Sequence, residues 1–132
     1  MRTPAELVDA LLVAMAAYDA SALEPLLTEN IMWWSPPSAS RFGVPRPIVG
    51  KDEVVRLFTG GLGIYRAGTI TWEVHQLIAD DTNIAVGFTR RSLTAAGKPY
   101  ENQYCFMLRH VDGRIAEGWE YTDTAHAFAQ FE

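Results

Sequence analysis

The chain has 132 residues, of which 48% are hydrophobic and 20% charged, and its formal net charge is −5. This size and composition indicate one globular domain over residues 1–132 that needs neither a disulfide nor a metal to fold. The negative charge and the scattered basic residues argue against nucleic acid as a partner, and no apolar stretch is long enough to predict membrane insertion. Cys105 is the only cysteine, which excludes an intrachain disulfide and favours a cytoplasmic location.

Three helices, a short strand and a loop are predicted in the first half of the chain. The run Thr-Pro-Ala-Glu at 3–6 is a capping box with proline at the first helical position, so a helix begins there. Ser21 begins a second capping box and a shorter helix, and residues 50–62 predict a third. Ile31–Trp34 predicts a strand. The proline-rich segment 35–47 predicts an irregular loop of the kind that forms a lid or a pocket rim.

The apolar period changes from about 3.6 to 2 after residue 68, which predicts a series of strands. We place them near 69–79, 83–94, 99–111 and 114–122. The last connection carries Asp112-Gly113, a strong signal for a tight hairpin turn. Asp123 to Phe131 predicts a closing turn or helix with Asp123 or Thr124 as its cap.

Helices followed by strands with short connections predict an α+β fold with an antiparallel sheet. Strands this long must twist strongly, so the helix-covered sheet should form a cone with a hydrophobic interior. Such an interior predicts a pocket for a small apolar organic ligand.

The order of these elements and one C-terminal motif resemble a known family. The motif is Asp-Gly-Arg-Ile at 112–115 followed by Trp-Glu-Tyr-Thr-Asp-Thr at 119–124. The chain resembles the SnoaL-like proteins over nearly its whole length. They belong to the superfamily named for nuclear transport factor 2, which also contains ketosteroid isomerases and limonene-epoxide hydrolases.

The resemblance implies a cone-shaped α+β barrel and a homodimer formed through the outer sheet face. It also implies acid/base chemistry in an apolar pocket with neither a metal nor an organic cofactor. Activities in the family include polyketide cyclisation, double-bond isomerisation, epoxide hydrolysis and dehydration. Because the motif is shared by proteins of many functions, it indicates the fold better than the reaction.

Asp123 is the first candidate catalytic residue. Strict alternation along the last strand places Trp119, Tyr121 and Asp123 on one face, and its large rings predict that this face lines the pocket. Burial beside the rings would raise the pKa of the carboxyl into the range of a general acid or base. The resemblance also places the acid/base Asp of the epoxide hydrolases and cyclases at this position. The alternative is that Asp123 caps the C-terminal helix.

Arg90 and Tyr18 complete the candidate catalytic set. Arg90 shares a strand face with Ile84, Val86 and Phe88, so an inward guanidinium needs a carboxylate partner; the alternative is an outward Arg near a strand end. The resemblance makes Tyr18, at the end of the first helix, a loose match for the enolate-stabilising tyrosine of the ketosteroid isomerases. A core role is the alternative for Tyr18.

The residues at two other family positions are not acids. The ketosteroid isomerases have an Asp before a proline where this chain has Ser35. The epoxide hydrolases have an Asp two residues after the strand arginine, where this chain has Ser92. Epoxide hydrolysis is therefore disfavoured.

Aromatic residues supply most of the predicted ligand-binding surface, and core filling is the alternative role for all of them. The candidate substrate-binding residues are Trp33, Trp34, Phe58, Trp72, Phe88, Asn102, Tyr104, Trp119 and Tyr121. Asn102 could offer its amide to a ligand carbonyl. The three histidines lack metal-ligand spacing, so we expect no metal.

Two functions remain open from the sequence. One is a cofactor-free isomerase, cyclase or hydro-lyase acting on an apolar, polycyclic or terpenoid substrate. The other is a non-catalytic ligand-binding or accessory dimerisation domain of the same fold.

Overall fold

The computed structural model of the chain describes residues 1–132. Four helices and six strands occur in the order α1 Pro4–Ala16, α2 Ala20–Leu23, β1 Leu27–Trp34, β2 Ile48–Val49, α3 Lys51–Arg56, β3 Thr71–Ala79, β4 Asn83–Leu93, β5 Pro99–Val111, β6 Arg114–Thr122 and α4 Thr124–Phe131. Short 3₁₀ turns cover Glu24–Leu26 and Pro37–Phe42, and a wide turn covers Leu57–Gly61. No helix combines the length and the apolar character needed to span a bilayer.

The six strands form one curved, open sheet in the order β2-β1-β6-β5-β4-β3. The strands β3 to β6 form the predicted antiparallel meander, and their observed bounds lie within two residues of the predicted ones. The prediction of a purely antiparallel sheet is wrong, because β1 pairs with β6 in parallel. The α+β class is confirmed, but the sheet is not closed into a barrel, and helices cover its concave face.

Helix starts and turns follow the local sequence in most places. Thr3 and Glu6 form the predicted capping box at α1, and Asp112-Gly113 forms the predicted hairpin with positive φ at both residues. The predicted cap at Ser21 is wrong: Asp19 accepts the amide hydrogen bond at the start of α2, and the Ser21 hydroxyl donates to Asp19. The third helix is shorter than predicted because Thr59 and Gly60 leave helical geometry.

One β-bulge decides which side chains of β6 face the core. Arg109 of β5 pairs with Glu117, whereas the next residue, His110, pairs with Ile115. Ala116 is therefore the extra residue, and the alternation of side chains shifts by one position after it. Ile115 is buried on the concave side, but from Gly118 onward the even-numbered residues take that side.

Candidate functional site

A largely enclosed cavity lies between the concave sheet face, the helices and the loop after β1. Its volume is about 110 Å³, and sixteen of its twenty-four lining residues are hydrophobic. Arg90 and Glu120 are the only formally charged residues on its wall; the remaining polar side chains are hydroxyls of serine, threonine and tyrosine. With a single carboxylate and no His or Cys, this wall does not offer a usual set of metal ligands.

Glu120 reaches the cavity from β6 and is held there by Trp33. The indole Nε1 of Trp33 donates to Glu120 Oε1 at 3.1 Å. Burial raises the pKa of the Glu120 carboxyl above its ordinary value, although the charge of Arg90 and the Trp33 hydrogen bond oppose the shift. The carboxyl can therefore hold or release a proton nearer to neutral pH than a solvent-exposed glutamate.

Trp33 holds Glu120 from a fully buried position on β1. Its ring makes edge-to-face contacts with Phe58 at 4.7 Å and Phe106 at 5.0 Å between centroids. The ring also lies against the backbone of Gly118, its register partner on β6. This packing fixes the direction of the indole N–H, and hence the carboxyl it binds.

Arg90 enters the cavity from β4, where it follows the buried Phe88 on the concave face. Its guanidinium carbon lies 4.8 Å from the ring centroid of Tyr104 and 5.3 Å from that of Tyr65. Burial would lower the pKa of Arg90, but the neighbouring Tyr104, Tyr65 and Glu120 raise it overall. Arg90 therefore stays a cation inside an apolar cavity.

Arg90 and Glu120 do not form an ion pair. None of the contacts within 4.0 Å between basic nitrogen and carboxylate oxygen joins them. Arg90 pairs with Asn102 on β5, and Glu120 pairs with Phe106 on the same strand. Tyr104 lies between these two β5 positions on the same face, so its side chain stands between Arg90 and Glu120. The two opposite charges thus face one space without neutralising each other by contact.

Three tyrosine hydroxyls form a chain beside Arg90. Tyr104 Oη lies 3.1 Å from Tyr65 Oη and 2.5 Å from Tyr100 Oη, and the amide of Asn102 donates to Tyr100 Oη at 3.3 Å. Burial raises the pKa values of Tyr100 and Tyr104, so both phenols stay protonated at neutral pH. This edge of the cavity can donate hydrogen bonds to an oxygen atom.

Tyr18 closes the cavity near the end of α1. It has a positive φ of 53°, which is unusual for an aromatic residue, and its hydroxyl donates to the carbonyl of Tyr65 at 3.0 Å. Gly60 leaves space for the ring, because a Cβ there would lie 3.1 Å from Tyr18 Cδ2. Burial raises the pKa of the Tyr18 hydroxyl, which therefore remains a neutral phenol.

The segment after β1 covers the cavity as the sequence predicted. Ser35, Phe42 and Val44 line the cavity. The ring of Phe42 stacks on Phe128 at 5.0 Å and meets Phe131 edge-on at 5.2 Å, which joins this segment to α4. We call residues 35–44 the lid segment.

Four of the twelve residues predicted as catalytic or substrate-binding line the cavity: Arg90, Tyr18, Phe58 and Tyr104. Three more lie behind its wall. Trp33 and Phe88 are core residues, and Asn102 is buried with its amide committed to Tyr100 Oη and to the carbonyl of Asp123. Trp72 is half-buried, pairs with Arg90 across the strands and packs on the core, but does not line the cavity.

The predicted inward position of Asp123 is wrong. Its carboxylate is exposed and accepts the amide hydrogen bond of His126 at the start of α4, which confirms the alternative role as a helix cap. Trp119 and Tyr121 are likewise on the convex face, where both rings pack on Trp34. The bulge at Ala116 is the physical reason, because it reverses the faces predicted by strict alternation.

Sequence reasoning missed Glu120, Tyr65 and Tyr100. Strict alternation along the last strand places Glu120 on the face opposite Trp119 and Tyr121, and nothing in the Ile-Ala-Glu-Gly run at 115–118 signals the extra residue. Tyr65 lies in an irregular segment between α3 and β3, and hydrophobic periodicity predicts nothing about the path of such a segment. Tyr100 had a usable signal, since it shares the strand face of Tyr104.

The sequence of the chain matches one protein-family model over most of its length. The family model described as SnoaL-like domain matches residues 8–118. No curated protein matches the chain in sequence.

Solved structures resemble this chain over almost its whole length. A crystal structure of an NTF2-like protein of unknown function from Burkholderia pseudomallei is 20% identical with a TM-score of 0.84, covering 99% of this chain and 98% of that one. TerC co-crystallised with polyporic acid is 15% identical with a TM-score of 0.82 and 96% coverage of both chains. An LEH-like epoxide hydrolase of Mycobacterium tuberculosis is 18% identical with a TM-score of 0.75, covering 95% of this chain and 86% of that one. At these identities the likeness shows a shared fold.

Proposed function

The chain belongs to the SnoaL-like domain family, and from that premise we propose that it is a cofactor-independent enzyme that moves a proton on a small, mostly apolar organic molecule. One observation carries the proposal. A single carboxyl with a raised pKa, Glu120, shares an apolar cavity with a single cation, Arg90, that has no carboxylate in contact with it. Such a pair suits the removal or delivery of a proton beside an oxygen atom that gains negative charge.

The roles follow from the contacts. Glu120 takes a proton from the ligand or gives one to it, and the Trp33 N–H holds the carboxyl in position. Arg90 and the phenols of Tyr65 and Tyr104 stabilise negative charge that develops on a carbonyl oxygen. Tyr18 is placed to bound the ligand on the side of α1. Glu120 thus replaces Asp123 as the proposed acid/base residue.

The reaction class we propose is isomerisation, cyclisation or dehydration. Solved structures of the same fold include TerC, an LEH-like epoxide hydrolase and a hypothetical protein with a ketosteroid isomerase-like fold, so the fold itself does not select the reaction. Epoxide hydrolysis has less support, because Ser92 stands at the position where the hydrolases carry a second acid. A cavity of about 110 Å³ is close to the size that holds one ring, so a polycyclic or terpenoid ligand requires the lid segment to move.

A proton-exchange assay tests the proposal before the natural substrate is known. Single-ring enolisable ketones are incubated with the protein in D₂O, and deuterium incorporation next to the carbonyl is followed by NMR. We expect exchange above the buffer rate, and a loss of roughly 10²-fold or more in Glu120→Gln. The matched control is Glu117→Gln, a glutamate of the same strand that pairs with Arg109 on the outer face. Equal exchange rates in wild type and Glu120→Gln would remove Glu120 from the mechanism.

A non-catalytic ligand-binding or accessory domain is the second candidate. The observation in its favour is that Ser35, Ser92 and the exposed Asp123 leave the acid positions of the relatives without an inward carboxylate. Here a retained small molecule would be recovered unchanged by mass spectrometry after incubation. Conversion of that molecule above the uncatalysed rate would exclude this candidate.

The convex sheet face supports a further part of the proposal, a homodimer. This face carries the packed rings of Trp34, Trp119 and Tyr121, together with the exposed side chains of Ile78 and Met107. Exposed apolar patches of this kind commonly mark interfaces. We propose that a second copy of the chain covers it, as the resemblance implies.

A further inference from the structure

Arg90 brings to the cavity several hydrogen-bond donors that have no carboxylate partner in the protein. A guanidinium carries five N–H donors. No carboxylate lies within 4.0 Å of it, and its protein contacts are the two rings and the phenol of Tyr65. The only fully buried side-chain polar atom without a partner is Ser92 Oγ, so the unpaired nitrogens of Arg90 retain accessible surface. Because Arg90 lines the cavity, that surface faces the ligand space.

The shape of this donor array favours a planar anion. A guanidinium binds carboxylates through two parallel N–H···O bonds in its own plane. The rings of Tyr65 and Tyr104 lie beside the group within about 5 Å, and the rest of the cavity wall is largely apolar. An apolar ring that bears a carboxylate matches both parts of this surface.

Charge balance inside the cavity adds a second condition. With Arg90 and an ionised Glu120 the wall is neutral, and an anionic ligand would leave an excess negative charge away from water, which is costly. The other titratable side chains on the wall are tyrosines: Tyr18 from α1, Tyr65 from the segment before β3, and Tyr100 and Tyr104 from β5. Burial raises the pKa values of Tyr18, Tyr100 and Tyr104, so these phenols do not supply a balancing charge. The lid segment and α4 contribute no titratable side chain to the wall. Glu120 is therefore the group that can restore neutrality by taking up a proton.

We propose that the cavity selects an organic acid with a ring-sized apolar body, that Arg90 binds its carboxylate, and that Glu120 is protonated in the complex, taking up a proton wherever it was ionised beforehand. This names the substrate class of the proposed enzyme and rests on it for the assignment of Glu120 as the titrating group. Because of this proton uptake, the ligand should bind more tightly at low pH than at high pH. It also leaves Glu120 protonated and neutral, and therefore able to donate a proton, when the acid is bound.

Benzoate and benzamide are matched probes for this proposal, since they have similar shapes and differ in charge. Binding is measured by calorimetry between about pH 5.5 and about pH 8.5, where benzoate stays ionised. We expect benzoate to bind at least about tenfold more tightly than benzamide at the acidic end. Above the pKa of Glu120, benzoate affinity should fall by up to about tenfold per pH unit, whereas benzamide affinity stays level. Benzamide binding as tightly as benzoate, or no binding of either probe, would overturn the proposal.

Two pairs of variants test whether Arg90 causes the preference for benzoate and whether Glu120 causes its pH dependence. Arg90→Met should abolish the preference for benzoate, and Arg91→Met should keep it, because Arg91 points outward to Glu73 and Glu101. Glu120→Gln should retain benzoate binding but lose its pH dependence, and Glu117→Gln should behave as wild type. If Arg90→Met does not fold, Arg90→Lys, which keeps the charge but lacks the planar pair of donors, replaces it in the comparison of benzoate with benzamide. An unchanged pH dependence in Glu120→Gln would overturn the proton uptake.

The two proposals can fail separately. Selective benzoate binding without deuterium exchange on any ketone would support the ligand class and contradict the enzyme. Exchange that depends on Glu120, with no preference for benzoate over benzamide, would support the enzyme and contradict the ligand class.

Discussion

The indole ring of Trp33 lies so close to Gly118 that no other residue fits there. A Cβ on Gly118 would come within 2.1 Å of Trp33 Cε3, and the two residues are register partners on neighbouring parallel strands. The ring crosses β6 at the point from which its N–H can reach Glu120, two residues further along the strand. The position of the proposed acid/base group therefore depends on a glycine that has no chemistry of its own.

Gly118→Ala is predicted to destabilise the fold by about 3 kcal/mol, because a fully buried tryptophan would have to leave its position. Urea denaturation measures the change in the free energy of unfolding. Gly87→Ala is the control, since Gly87 lies in the same sheet with nothing within 4 Å of the added carbon. Equal effects of the two substitutions would contradict this account of Trp33.

Glu120→Gln is predicted to change how stability depends on pH. Burial raises the pKa of Glu120 in the folded chain, so the folded state binds its proton more tightly than the unfolded state does. The stabilising contribution is complete below the ordinary glutamate pKa and is lost as pH rises through the raised pKa. Wild type should therefore lose stability relative to Glu120→Gln as pH rises through this window, by on the order of 1 kcal/mol per unit of pKa difference.

Unfolding free energies measured at a series of pH values check this expectation. Glu117→Gln is the control for removing a carboxylate from β6, because Glu117 is partly exposed and paired with Arg109. A stability difference between wild type and Glu120→Gln that stays constant with pH would contradict a raised pKa at Glu120.

Asp123→Ala is predicted to lower stability by about 1 kcal/mol without affecting proton exchange. The substitution removes the hydrogen bond to the His126 amide at the start of α4. Asp123→Asn should be close to neutral, since asparagine caps helices well. A large loss of exchange activity in Asp123→Asn would restore Asp123 as a candidate catalytic residue.

Phe42→Ala is predicted to speed ligand exchange several-fold, because it removes the ring that joins the lid segment to Phe128 and Phe131. Stability should fall by about 1 kcal/mol beyond the loss of buried area. Fluorobenzene, an uncharged single-ring probe, allows the dissociation rate to be measured by ¹⁹F exchange spectroscopy. Val13→Ala, on the exposed side of α1, is the control. Identical rates in wild type and Phe42→Ala would place the route of entry elsewhere.

Met107→Glu is predicted to convert a dimer to a monomer. Met107 is partly exposed, pairs with Trp119 across the strands and lies beside the aromatic cluster of the convex face. A charge buried there without a partner would oppose association. Light scattering coupled to size-exclusion chromatography measures the mass, with Val13→Glu as the control on an exposed helix position. A monomeric wild type would contradict the proposed homodimer.

The sequence predicted the strands of the meander well because their ends carry strong local signals. Asp112-Gly113 forms a turn that few other residue pairs favour, and the four long strands have clear alternation. The inward direction of Arg90 was also predictable, since β4 runs without a bulge from Ile84 to the cavity. These features depend on neighbours in the sequence.

The proposed acid/base residue could not be predicted in the same way. Whether Glu120 or Tyr121 faces inward depends on one extra residue at position 116. The position of that residue is set by the pairing of β6 with β5, and no local sequence pattern in β6 indicates it. Tyr65 approaches Arg90 through a segment without a period, held by contacts to Tyr18 and Tyr104. These placements depend on tertiary pairing.

The pairing of Ala116 decides which side chains of this strand reach the interior. Deleting Ala116 would leave a regular strand in which Glu120 still points inward, because Glu117 would follow Ile115 directly and both would keep their partners on β5. Keeping Ala116 but pairing it regularly with β5 would instead turn Trp119 and Tyr121 inward and carry Glu120 out into water. A slip of one residue in register, with no substitution at all, would thus exchange an interior acid for an interior that is aromatic and uncharged.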